Sequence, residues 1–265
     1  MTIQAEASPP TRRAKWLAAF GFGPRRQART PEGVRIYAVG DIHGCAAVLD
    51  RLHVCIEADA ASFAGDKIIV YLGDYVDRGP DSRGVINRLI GDVPKGFSAR
   101  YAKGNHDQAL LDYLASAETY RAWRSFGAPE TLLSYGVRPP LFDSSEKFEE
   151  ARQALRSALP PAHLSFLRSL ESAIVLGDYA FVHAGIRPGM TIEDQTDQDL
   201  LWIRDDFLNC TSTHEKVVVH GHTPLPAPVR LHNRISLDTG VYATGILSCA
   251  VLEGAECRFI QSSAV

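Results

Sequence analysis

The sequence predicts an α/β fold: a sheet with helical crossovers and a second sheet packed on it. Three observations carry this. Residues 34–102 alternate β-rich runs with helical spacing, the rhythm of strands joined by crossover helices. Short β-like runs then crowd residues 173–252. Finally, the early strands run out into glycine-bracketed blocks of Asp, His and Asn, and open α/β sheets bind ligands outside their strand carboxyl ends.

Residues 1–30 stand apart from this pattern. Arg12, Arg13, Lys15, Arg25, Arg26 and Arg29 face only Glu6, and Pro9, Pro10, Gly21, Gly23 and Pro24 break any long helix. A solvated, partly disordered tail is expected. Trp16, Leu17, Phe20 and Phe22 among the basic residues leave weak docking to an anionic surface or a partner as its alternative.

The folded domain is expected over 31–265. Val34–Val39 reads as a strand ending at Gly40-Asp41. Residues 46–58 have helical spacing, with Val48, Leu49, Leu52 and Cys55 apolar. Lys67–Leu72 is the second strand, ending at Gly73-Asp74. Val85, Ile86, Leu89 and Ile90 mark a second helix, and Phe97–Ala102 a weaker strand. Residues 108–172 read as mostly helical, a cap or insertion beside the site. Ala173–Leu176, Tyr179–His183, Lys216–His220, Arg234–Leu237 and Ile246–Leu252 are β-like, the material for the second sheet.

Composition narrows the function classes. At 265 residues, with 45% hydrophobic and 22% charged, the chain is an ordinary globular protein. A net charge of −3 implies no general affinity for nucleic acid. Five cysteines without a Cys-x-x-Cys pair predict reduced thiols and a cytoplasmic location. No apolar run approaches the roughly 18 residues of a membrane span, and the N-terminus lacks the continuous apolar core of a secretory signal.

The blocks read Gly40-Asp41-Ile42-His43-Gly44, Gly73-Asp74-Tyr75-Val76-Asp77-Arg78-Gly79, Gly104-Asn105-His106-Asp107, His183-Ala184-Gly185 and His220-Gly221-His222-Thr223. All offer oxygen or imidazole nitrogen, the ligands of hard and borderline divalent metals. On an extended strand end, residues two apart point the same way, so Asp41 and His43 can chelate one ion. Asp74 has two oxygens and can bridge two ions. Asn105 adds a neutral carbonyl oxygen. Two metals about 3.5–4 Å apart suggest phosphoester hydrolysis.

These blocks, in this order and continuing through Asp238-Thr239-Gly240, resemble the calcineurin-like metallophosphoesterase superfamily, and within it the phosphoprotein phosphatase branch. The resemblance implies a β-sandwich with helices on both outer faces. It implies Asp41, His43 and Asp74 on one metal, and Asp74, Asn105, His183 and His222 on the other. His222 is the ligand of its block because it lies between Gly and Thr; a structural or supporting role is left for His220. Pro224 stands where many nucleases of the superfamily have a further His ligand.

The same resemblance implies two divalent ions bridging a hydroxide, with His106 as general acid paired to Asp77. Arg78 and Arg204 are expected on the phosphate, a surface salt bridge to Asp205 or Asp206 being the alternative for Arg204. Asp107 replaces the Glu of eukaryotic relatives. Three histidines favour Mn, Fe or Zn over Mg, with Mn foremost. The expected activity is that of a bacterial-type Ser/Thr protein phosphatase, supported by Asp77. A symmetrical diadenosine tetraphosphate hydrolase, of a branch that can also decap RNA, is the alternative, and a non-enzymatic scaffold a remote one.

Overall fold

The computed structural model describes residues 27–262. The expected docking residues Trp16, Leu17, Phe20 and Phe22 lie outside the described residues. Arg29 and Thr30, placed with the tail by their composition, are tied to the domain: their N–H groups donate to the Asp178 carboxylate and the Gly254 carbonyl, each at 3.0 Å.

Strands β1 (Val34–Val39), β2 (Asp66–Tyr71) and β3 (Phe97–Tyr101) pair in parallel. Parallel neighbours need crossovers of a dozen or more residues, which helices α1 (Ala46–Ala60) and α2 (Ser82–Gly91) supply. Asp81 caps α2, its carboxylate accepting the Gly84 N–H at 2.8 Å. Register aligns Val39 with Tyr71 and Tyr71 with Tyr101. The three strands therefore stop at one level, and Asp41, Asp74 and Asn105 emerge side by side.

Five further helices fill the stretch expected as a cap. They are α3 (Asn105–Ala115), α4 (Tyr120–Trp123), α5 (Ala128–Ser134), α6 (Ser145–Ala158) and α7 (Pro161–Arg168). Their buried side chains, among them Tyr113, Trp123, Phe148 and Leu167, join one core with Tyr37, Val39, Ile69 and Tyr71 of the first sheet. Strand alternation sends the neighbouring residues Ile36, Ala38 and Val70 to the opposite face.

That opposite face packs on the second sheet, of order β4 (Ala173–Leu176), β5 (Tyr179–Val182), β6 (Val217–His220), β8 (Arg234–Ser236), β7 (Val229–Arg230). Phe181, Val219 and Ile235 meet Ile36 and Val70 in the layer between the sheets. The outer face of the second sheet, with Ala180, Val182 and Val218, is covered by Leu200, Ile203 and Phe207 from the α8 (Asp197–Trp202) and α9 (Asp205–Leu208) region. The result is the expected helix–sheet–sheet–helix layering.

One strand departs from expectation. The run read as Ile246–Leu252 and assigned to the second sheet is β9 (Leu247–Glu253), antiparallel to β1 in the first. Its inner residues are buried on both faces: Cys249 and Val251 meet the helical core, while Ala250 and Leu252 meet the second sheet. An uninterrupted apolar run of this kind requires cover on both sides. An unpredicted strand, β10 (Glu256–Ser262), follows a turn at Gly254 and closes that edge.

Phe181 is fully buried between the sheets. Phe181→Ala is expected to destabilise the fold by about 3–5 kcal/mol, read as a lower denaturant midpoint with an unchanged slope.

Candidate metal centre

The strands β5, β6 and β8 are parallel, as are β1, β2 and β3. All six carboxyl ends point into one cleft, from which His183, His222 and Asp238 follow the second sheet's strands. Contacts across the sheets seal the meeting. The His222 N–H donates to Asp41 Oδ2 at 3.0 Å, and His183 Nδ1 lies 2.9 Å from the Leu72 carbonyl.

The cleft collects electron pairs. His43 Nδ1 is 3.0 Å from the Val76 carbonyl, so it carries the hydrogen, and Nε2 turns its lone pair to Asp74 Oδ2 at 3.5 Å. His183 repeats the arrangement: Nδ1–H donates to Leu72, leaving Nε2 at 3.4 Å from Asp74 Oδ2 and 2.8 Å from Asn105 Oδ1. His222 Nδ1 stands 2.9 Å from the same Asn105 oxygen. The other ring nitrogen of His222 is buried without a partner. Asp74 is common to two sets, His43–Asp74–His106 and Asp74–His183–His222, each with its candidate ligand atoms within 4.8 Å of one another.

Such a donor-poor cluster is costly unless a proton or a cation sits among the lone pairs. The charge balance of the side chains says the same. Burial pushes the Asp74 carboxyl up, but His183, His106 and His43 outweigh it and hold it well below the usual carboxylate range. Burial opposes charge on His183, yet the Asp74 carboxylate lifts it to about 10. His43 is driven down to about 3, chiefly by burial. Burial, then the charge of Asp238, raises Asp41 well above its ordinary value. A divalent cation relieves all of these at once: oxygen and imidazole donors converge, and their N–H tautomers are set by backbone carbonyls. The residues fit a metal pair.

Backbone strain gathers here too. Among the described residues, the non-glycine positions with positive φ are His43, Asp74, Asp77, Arg78 and His222. Each belongs to the blocks, and such positions cost on the order of 1–3 kcal/mol each. Asp107 holds one of them. Its buried carboxylate accepts the N–H groups of Asp74, Tyr75 and Gly104 at 2.9, 3.0 and 2.9 Å. Burial, then the charge of Asp74, brings its own carboxyl to about 7. Glycine makes two close approaches possible: a Cβ on Gly104 would strike Asp74 Oδ1, and one on Gly221 would strike Asp41 Oδ1.

Beside the cluster lies a different construction. His106 Nδ1–H donates to Asp77 Oδ2 at 2.7 Å. Burial lowers the affinity of His106 for its proton, but the carboxylates of Asp74 and Asp77 prevail and raise it. Arg78 Nη2 lies 3.3 Å from His106 Nε2. Among the described residues Arg204 pairs with no carboxylate; its Nη1 donates to Thr223 Oγ1, next to His222, at 3.1 Å, while Arg187 pairs with Asp199 and Asp206. His220 turns away from the cluster, its Nε2 meeting Ser236 Oγ at 2.8 Å. Asp41 lies in neither three-residue set.

Sequence reading passed over several neighbours. Trp123 Nε1–H and Thr131 Oγ1–H donate to the Asp77 carboxylate at 2.7 and 2.6 Å. Phe126 packs on His106, Trp202 on Phe126 and His222, and Tyr242 on His43 and under Arg78. These residues sit in helical or loop segments with no local motif, and Trp123 and Thr131 lie 46 and 54 positions from Asp77. No sequence signal marks Trp123 or Thr131.

Two sheets whose parallel strands all deliver metal-type donors to one cleft define a metal-dependent hydrolase class. Residues 34–246 match the family model of the calcineurin-like phosphoesterases. The chain belongs to that family, whose members are enzymes with a binuclear divalent metal centre. Among relatives, it is 26% identical over 226 residues to the asymmetrical bis(5'-nucleosyl)-tetraphosphatase PrpE of Bacillus subtilis, covering 76% of this chain and 84% of that one. It is 29% identical over 224 residues to serine/threonine-protein phosphatase 1 of Salmonella typhimurium, covering 82% and 92%. A metallophosphoesterase from Sphaerobacter thermophilus shares the fold, with a TM-score of 0.51 at 19% identity over 88% of this chain and 90% of that one.

Gly221→Ala is expected to push the Asp41 carboxylate out of place. Affinity for an added divalent metal ion, measured by equilibrium dialysis and elemental analysis, should fall by roughly tenfold, the scale of a disturbed ligand shell.

Proposed function

We propose that this phosphoesterase hydrolyses phosphoserine and phosphothreonine esters in proteins. The observation that carries the reading is the buried Asp77–His106 pair beside the Asp74 cluster, because a serine or threonine alkoxide is a poor leaving group that needs a proton.

Asp41, His43 and Asp74 would hold one ion; Asp74, Asn105, His183 and His222 would hold the other. Manganese is the ion proposed, since the three imidazoles disfavour Mg. When bound, the two ions neutralise charge at phosphorus and supply an activated water. Arg78 and Arg204 grip phosphate oxygens from two sides of the cleft. A phosphate on Arg78 brings the ester oxygen to His106 Nε2, which gives up its proton to the leaving group. Asp77 keeps the Nδ1–H in place and favours the imidazolium that donates. No helix among the described residues is long and apolar enough to cross a membrane, and the five free thiols suit the reducing cytoplasm proposed as its location.

A second reading, hydrolysis of dinucleoside tetraphosphates, is favoured by the PrpE relatives, which match over most of their length. Its leaving group is a nucleotide phosphate, which needs protonation less than an alkoxide does. The two readings separate in parallel assays with manganese on a phosphoserine peptide and diadenosine tetraphosphate. Phosphate release from the peptide at the higher kcat/KM is expected; efficient nucleotide release with an inert peptide would reverse the order.

Asp74→Asn is expected to lower kcat by about 10³-fold or more while leaving the circular dichroism spectrum unchanged, since charge at phosphorus would go unneutralised. Retained turnover would sink the two-ion centre. Chelation should abolish activity, and added manganese should restore it.

A further inference from the structure

We infer that the cap segment from Trp123 to Thr131 orients the proton-donating half of the site, with Trp123 and Thr131 as positioning residues acting through Asp77. The inference rests on the reading of His106 as proton donor.

The segment touches Asp77, Arg78 and His106, the functional residues on the proton-donating side of the site. Asp77 is fully buried, and three donors fix its carboxylate: His106 Nδ1–H and Trp123 Nε1–H on Oδ2, Thr131 Oγ1–H on Oδ1. Thr131 Oγ1 also accepts the Asp77 N–H at 2.8 Å, holding the residue at its positive φ. The carbonyls of Phe126 and Gly127 take Arg78 Nε–H and N–H at 3.4 and 3.3 Å. The Phe126 ring packs on the His106 imidazole, centroids 5.6 Å apart. Gly127, at φ 108°, lies so close to Arg78 that a Cβ would fall 2.5 Å from its backbone nitrogen.

Among the described residues, no hydrogen bond joins the segment to Asp41, His43, Asp74, Asn105, His183 or His222. The cap therefore governs orientation of the donor and of Arg78 without governing the ions. A carboxylate that loses one of its three donors is freer to rotate, and the imidazole it holds rotates with it. The cost falls on substrates whose leaving group must be protonated.

Trp123→Phe removes one donor, and Thr131→Val removes the other with little change of volume. Both are compared with Thr131→Ser and His106→Ala on two esters of matched shape, phenyl phosphate and p-nitrophenyl phosphate, alongside manganese affinity and melting temperature. Trp123→Phe and Thr131→Val are expected to lower kcat on phenyl phosphate by roughly tenfold, and on p-nitrophenyl phosphate by less than about twofold, a part of the whole general-acid contribution. Manganese affinity should hold, and Thr131→Ser should restore most of the loss. An equal fall on both esters, or lost manganese, in folded variants would overturn the positioning role while His106→Ala still discriminates. If His106→Ala falls equally on both esters, the proton-donor reading fails and this inference with it. Should Trp123→Phe not fold, the Thr131 pair alone decides between these outcomes.

Discussion

Asp74 is the constraint on which the rest of this structure depends. Its carboxylate is buried, its backbone sits at φ 53°, and three histidine rings turn nitrogen toward it. A charged group so placed is tolerated only where its oxygens are partnered. The strand register delivers it beside Asp41 and Asn105. Gly104 gives it room, and Asp107 clamps the two turns around it.

The strain collected at the site has to be offset elsewhere. Five non-glycine residues of the blocks sit at positive φ, at a cost of roughly 1–3 kcal/mol each. The two-sheet core does the offsetting. Each fully buried Phe, Ile or Leu contributes about 1.5–3 kcal/mol, and the sheets and helices bury dozens of apolar side chains. A double layer of strands is suited to this task, because rigid strand ends on both sides hold the donors against relaxation. The helical stretch between β3 and β4 contributes differently. It buries its own apolar face into the same core, and from there reaches Asp77 and Arg78.

Legibility follows the range of the interactions. The five blocks could be read because each is local: donor, neighbouring glycine and preceding strand lie within a few residues. Helices α1 and α2 and strands β1 and β2 were equally readable, since periodicity is a local signal. Strand β9 was misassigned because sequence order does not say which sheet receives a doubly buried run; its partner β1 lies some two hundred positions earlier. The partner of Arg204 was equally illegible, because the turn that carries Thr223 reaches it only in the folded chain.

The sequence by itself determined the kind of chemistry, because metal-type donors bracketed by glycine at successive strand ends have few other uses. It also determined the expected sharing of Asp74, since one residue of the motif offers two oxygens to both groups of donors. Tertiary structure alone decided which donors face one another and which groups keep Asp77 from turning. It alone bound Trp123 and Thr131 to the site, and it set the histidine tautomers through the carbonyls of Leu72 and Val76. Those contacts join residues dozens to more than a hundred positions apart. Only the packing of two sheets and their helices brings them within hydrogen-bond reach.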